Sequence, residues 1–163
     1  MSIDDLFFLA FHLVTPFWAL MIFAPNWKWT KKIIDSPWII VGPLGIFFYL
    51  GLAIIPELLK FAWSPTVEGF IAIIGSPEGA TMAWAQIIAW DLAIGRWMYL
   101  MNRESSMRIH PLIMGPILFL ASTLPAVVFP AFLVIRFVLR FIPRKDYDPT
   151  IRNGSEKSAV STS

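Results

Sequence analysis

Asp91 has the strongest claim to chemistry in this chain. It sits inside an apolar run, Ala80 to Met101, that also carries Gln86 and Arg96. A carboxylate in hydrocarbon costs about 2.5–3.5 kcal/mol on insertion scales, and such groups face a bundle interior or a cavity. Removed from water, a carboxyl favours its neutral form, and in that form it can act as a general acid. The equally weighted alternative is that Asp91 and Gln86 are hydrogen-bonding glue between helices. Two further polar residues lie in apolar surroundings. His12 falls near the middle of the first apolar run and Glu57 near the end of the second. His12 reads first as a histidine bonded to a neighbouring helix, with a ligand or proton-transfer role as the sharper reading. Glu57 reads first as an interfacial carboxylate, with Lys60 as its candidate partner.

Helical spacing sorts the residues around Asp91. Trp84, Ile88, Asp91, Gly95 and Met98 recur every three or four positions and share one face. Gly95 leaves space one turn from Asp91. Arg96 lies about 140° round the helix from Asp91, so it is expected to snorkel to an interface or pair with another helix. Trp90 and Trp97 form a second stripe, read as packing or an interfacial belt, with a pigment or quinone wall as the alternative.

The elements that must hold these residues are membrane-type helices. The chain has 163 residues, 57% of them hydrophobic. Charged residues make up 15%, against about 25% in soluble domains. Eight Trp and fourteen Phe suit the aromatic belts of membrane interfaces. About 20 apolar residues cross a bilayer, and four stretches approach or exceed that length: roughly 5–24, 38–59, 80–101 and 111–142. The expected fold is therefore all-α, a polytopic membrane bundle of about four transmembrane helices over residues 1–143. A disordered polar tail over 144–163 is expected to follow. Stretch 111–142 is too long for one straight crossing, and Thr123-Leu124-Pro125 marks the expected break. Gly69–Gly75 is too short to span and reads as interfacial or re-entrant. Ser64-Pro65 and Ser76-Pro77 have the residues of a turn or helix start.

Lysine and arginine counts in short loops set orientation. The first loop is basic, the second acidic on balance and the third mildly basic. That puts loops one and three on the cytoplasmic side. The basic end of the last stretch joins them only if that stretch turns back at its break.

Several function classes fall away. Cysteine is absent, so thiol nucleophiles, disulfides and Cys-ligated clusters are excluded. No phosphate-binding Gly loop, dinucleotide fingerprint, zincin motif or nucleophile elbow occurs. His12 and His110 lie at different depths, which does not suit a two-histidine haem, although single-histidine ligation stays open. No metal site or cofactor is expected. A net charge of +2 gives no reason to expect nucleic-acid binding. The acidic start Met-Ser-Ile-Asp-Asp is unlike a signal or transit peptide.

One block of residues is specific enough to name a family. Trp84, then Asp91-Leu92-x-x-Gly95-Arg96-Trp97, then Arg108-x-His110 and a Pro-bearing apolar span, resembles the ABA-deficient-four-like family. The start is similar too, with Asp4-Asp5-Leu6-Phe7 and a first span ending Phe23-Ala24-Pro25-x-Trp27-x-Trp29-Thr30. The resemblance covers most of residues 3–142. It implies small membrane proteins of plastids and cyanobacteria, linked to forming neoxanthin from violaxanthin. That isomerisation opens an epoxide to an allene with a hydroxyl. It delivers one proton to the epoxide oxygen and removes another from an adjacent carbon. By this analogy Asp91 is the candidate acid or base, His12 or Glu57 its counterpart and Arg96 an electrostatic aid. Trp84, Gln86, Trp90, Gly95 and Trp97 are the candidate substrate-binding residues. Gln86 departs from the pattern, since Trp-x-His is expected there and Gln cannot exchange protons. The start of the chain points to a cyanobacterial thylakoid or plasma membrane, or to a plastid membrane in a eukaryote. The expected partners are the lipid bilayer, a carotenoid-type ligand and other membrane proteins. The reading from a different class is a non-enzymatic scaffold or assembly factor for a pigment–protein complex.

Overall fold

A computed structural model describes residues 1–104, 108–139 and 141. All of its elements among these residues are helices: α1 (Ile3–Phe23), α2 (Lys28–Asp35), a 3-10 turn (Pro37–Ile40), α3 (Val41–Ala53), α4 (Ile55–Trp63), α5 (Val67–Ile74), α6 (Pro77–Glu104), α7 (Pro111–Ala121) and α8 (Pro125–Leu139). Arg140 and the expected polar tail lie outside the described residues.

α6 is the axis. Its 28 residues extend about 42 Å, and every other α-helix except α4 packs against it. Its start is fixed by Ser76, whose Oγ accepts from the Gly79 N–H at 3.0 Å, with Pro77 in the first turn. Pro suits that position because its missing N–H would have no helical partner there. Ser64 instead closes α4, and Thr66 caps α5 by accepting from the Gly69 N–H at 3.0 Å.

α1 runs parallel to α6. Ser2 and Asp5 close its N-terminus reciprocally, at 3.1 and 2.8 Å. Phe7 stacks on Trp84, and Trp18 meets Gly95. Beyond the helix, the Pro25 carbonyl accepts from the Tyr99 hydroxyl at 2.8 Å. α2 and α3 bring the chain back antiparallel, with Asp35 beside Arg96 and Gly51 beside Met82. α4 and α5 close the opposite end.

The last apolar stretch does not cross as one element. It breaks at Ser122–Leu124, and its two halves run in opposite directions along α6. α7 begins where Asn102 pairs with both backbone groups of Ile109. α8 ends where Arg136 donates to the Met101 carbonyl at 2.8 Å, after Phe129 has passed Trp97. The start of α7 and the end of α8 thus both lie at the C-terminal end of α6, and the break lies near the middle of α6. This replaces the expected fourth crossing with a hairpin. Three prolines explain it: Pro116 and Pro130 sit inside the two helices, and Pro125 starts the second. Proline disfavours helical backbone at the residue before it, here Leu124.

Among the described residues only α1 is both long and apolar enough to cross a membrane by itself. α2 and the segment Pro37–Ala53 qualify jointly, bent by 69°. α6 has the length, but Gln86, Asp91 and Arg96 lower its hydropathy. The core runs along α6, through Leu92 and Met98 to Met21, Ile34, Leu118 and Phe132. Outside it, large apolar side chains such as Phe8, Phe48, Leu52, Trp90 and Val134 are exposed.

Candidate functional site

Asp91 opens into a cleft of about 340 Å³ between α1, α6 and the α7–α8 corner, a volume within the range of small-molecule sites. The face foreseen on α6 is the one that lines it: Trp84, Ile88 and Asp91. α1 adds Val14, Thr15 and Trp18, and the corner adds Ser122 and Thr123. The remaining walls are aliphatic or aromatic, and Asp91 is the only titratable residue among those lining the cleft.

Hydrogen bonding singles Asp91 out further. The three hydroxyls of the cleft already donate to carbonyls of their own segments. Thr15 donates to Phe11 at 2.8 Å, Ser122 to Phe119 at 2.7 Å and Thr123 to Leu120 at 3.1 Å. Asp91, partly buried, has no hydrogen-bond or ion-pair partner among the described residues. The indole N–H of Trp84 is buried and also lacks an acceptor. A buried donor left unpaired costs about 1–3 kcal/mol, so native proteins keep few of them, often at sites with a further role. The cleft thus holds one free carboxyl among the described residues, in walls that are otherwise apolar or engaged, with a second unpaired group, the Trp84 N–H, buried behind its wall.

Gly95 shapes the floor. An added Cβ there would lie 2.3 Å from Cη2 of Trp18. Glycine lets the outer edge of the indole close on the α6 backbone, one turn from Asp91.

The other expected site residues fall elsewhere. Arg96 is committed to the end of α2, donating from Nε to the Ile34 carbonyl at 2.8 Å and from a terminal nitrogen to Asp35 at 2.6 Å. Those carbonyls have no helical partners of their own, so Arg96 is a cap joining two helices and does not line the cleft. His12 is exposed on α1, and its Nδ1 lies 2.7 Å from the Phe8 carbonyl of the same helix. It neither bridges to a neighbouring helix nor reaches the cleft. Glu57 lines a separate cleft of about 400 Å³ at the α4–α5 end. Lys60 lines it too, yet no ion pair closes between them among the described residues. Gln86 and Trp90 are exposed, and Trp97 packs on Phe129 of α8 with ring centroids 5.0 Å apart. The structure therefore joins Trp84, Asp91 and Gly95 into one site, and leaves His12, Glu57, Gln86, Trp90, Arg96 and Trp97 out of it. Among the described residues no group of three His, Asp or Glu side chains is placed to hold a metal ion.

The model of the ABA DEFICIENT 4-like family matches residues 5–132. The chain belongs to this family. A curated relative, Protein ABA DEFICIENT 4, chloroplastic, from Arabidopsis thaliana, is 33% identical over 93 residues. That match covers 53% of this chain and 42% of the relative, so the chain spans less than half of the relative's length. No solved structure matches. For this ABA DEFICIENT 4-like chain, the match takes in α1 through most of α8, and with them every wall of the Asp91 cleft.

Sequence reasoning did not name Thr15, Trp18 or Ser122 as site residues, and noted Thr123 only at the expected break before Pro125. One signal for Trp18 was present. A glycine one turn from a buried acid calls for a large partner, and Trp18 is the only Trp within the first apolar run.

Proposed function

We propose that this chain is an integral membrane protein of xanthophyll metabolism, and that Asp91 transfers protons to and from an epoxy-carotenoid held in the cleft. One observation carries the reading: among the described residues Asp91 is the single carboxyl lining this cleft and has no partner, while the three hydroxyls of the cleft are engaged and its other walls are aliphatic or aromatic. The family supports the substrate class, through the link between its plant members and neoxanthin formation. The apolar exterior supports the membrane, since helices that are hydrophobic on all sides are buried in protein or in lipid. The chloroplastic relative supports a plastid or related photosynthetic membrane as the location.

One carboxyl is enough for this isomerisation because it involves no net proton change. In its acid form, Asp91 gives its proton to the epoxide oxygen as the ring C–O bond breaks and a hydroxyl forms. As carboxylate, it takes the proton from the adjacent polyene carbon, and the electrons of that C–H bond close the allene. The carboxyl is regenerated. The cleft is sized for the ring end of a long polyene, with the rest of the molecule lying along the apolar exterior.

The test is Asp91→Asn in membranes supplied with violaxanthin. Asparagine keeps the shape and loses the exchangeable proton. Expected is loss of product at normal protein level, with His12→Gln and Glu57→Gln keeping product because both lie outside the cleft. Unchanged product from Asp91→Asn at normal protein level sinks the catalytic role. Loss of the protein itself would favour the scaffold reading, in which Asp91 serves assembly.

A further inference from the structure

The Arg108-x-His110 motif takes no part in the Asp91 cleft. It lies at the other end of α6, where a second cleft of about 260 Å³ opens between the C-terminal turn of α6, the turn after α1 and the start of α7. Arg103, Arg108 and His110 all line it, together with Asn26, and no carboxylate does.

Each of the three side chains is presented differently. Arg103 is held by the Pro25 carbonyl and the Tyr99 hydroxyl, both through one terminal nitrogen. That contact fixes the guanidinium at the wall. Arg108 has no hydrogen-bond or ion-pair partner among the described residues. His110 accepts from the Leu112 N–H through Nδ1 at 3.3 Å, which leaves Nε2 to carry the proton and donate. The start of α7 adds the partial positive charge of a helix N-terminus. Guanidinium groups match oxyanions such as phosphate with paired donors.

A second observation sets the class of ligand. The basic cleft shares Pro25, Asn26 and Pro111 with an adjoining groove of about 330 Å³. That groove carries no charged residue among its lining side chains, and its walls include Ile22, Phe23, Trp27 and Leu112. Phe23 and Leu112 are 84% and 80% exposed. A charged pocket therefore continues into an apolar channel at the end of the bundle, beside Trp27 and the lysines of α2. Basic pockets between membrane helices are where anionic headgroups bind.

We propose that this double cleft binds an anionic phospholipid, its phosphate held by Arg103, Arg108 and His110 and an acyl chain lying along Phe23 and Leu112. The proposal rests on the membrane reading and is independent of any reaction at Asp91.

The test uses the full chain purified in neutral detergent and placed in nanodiscs of phosphatidylcholine doped with phosphatidylglycerol. Bound lipid is counted by native mass spectrometry. Expected is saturable retention of phosphatidylglycerol, with no such retention of phosphatidylcholine carrying the same acyl chains. Arg108→Gln should weaken it roughly tenfold, as loss of one charge-assisted contact does. Leu112→Asn should weaken it as well, while inorganic phosphate alone should not compete at millimolar concentration. Arg108 is exposed and holds no structural contact among the described residues, so its variant should fold; a circular-dichroism melt checks that. Equal retention of the two lipids, or no effect of Arg108→Gln in a folded protein, overturns the proposal. Phosphate competing as well as the lipid overturns the acyl-chain half of it. Carbonate extraction separates the two readings: release from the membrane refutes membrane residence, whereas an integral protein without lipid preference refutes only this site.

Discussion

Gly95→Ala tests how tightly α1 and α6 close around the Asp91 cleft. The added Cβ would stand 2.3 Å from Cη2, 2.7 Å from Cζ3 and 3.0 Å from Cζ2 of Trp18. To reach ordinary contact at 3.4 Å, the indole must retreat by about 1.1 Å. Trp18 is 8% exposed, and the cleft it lines is the open space beside it. The ring therefore moves into the cleft, or α1 separates from α6. Overpacking of this kind costs about 1–3 kcal/mol, a fall in melting temperature of at least about 2 °C for a chain of this size. The assay is thermal unfolding in mild detergent, alongside binding or turnover of the epoxy-carotenoid. Gly95→Ala should lower both. Adding Trp18→Phe removes the atoms that collide and should restore most of the stability, which a merely weakened helix would not show. A Gly95→Ala protein that melts with the parent would refute the packing argument at its base.

Two further predictions concern the frame around the site. Arg96→Ala removes two hydrogen bonds from a charged donor to the end of α2, each of the kind worth about 1.5–3 kcal/mol; Arg96→Lys should recover only part of the loss. Hydrogen exchange should then rise over residues 28–35 and stay unchanged over α7, and a uniform rise would contradict the capping role. At Gly79 a Cβ would lie 1.8 Å from the Ile73 carbonyl oxygen, a backbone atom that cannot turn aside. Gly79→Ala should therefore detach α5 from the start of α6, read as new protease sites within residues 64–76, and a stable, uncleaved variant would refute the close approach.

The α6 face was legible because helical periodicity alone carries Trp84, Ile88, Asp91 and Gly95 to one side. The same arithmetic separated Arg96 from Asp91 and pointed it at another helix. His12 shows where such reasoning stops. Its depth follows from its place in the run, but α1 is apolar on nearly every side, so no pattern told which face packs. The buried face is Leu6, Ala10, Val14, Trp18 and Met21, and His12 is not on it. Glu57 shows the same limit: breaks at Ile54 and Ser64 bound α4, which does not pack on α6, and the direction of such breaks depends on tertiary contacts. Prolines in stretch 111–142 marked a break without saying which way the chain leaves it. Loop charge was consistent with a return but left both routes open, and the contacts of Arg136 and Ile109 supply the return.

That return has a consequence for counting. In a bilayer, an element that enters and leaves by the same face contributes nothing to the parity of crossings. On the membrane reading proposed above, if α1, the α2–α3 segment and α6 each traverse once, the tally is odd. On that reading the amino terminus and the end of α8 face different compartments, so a reporter domain joined at one never meets a reporter joined at the other.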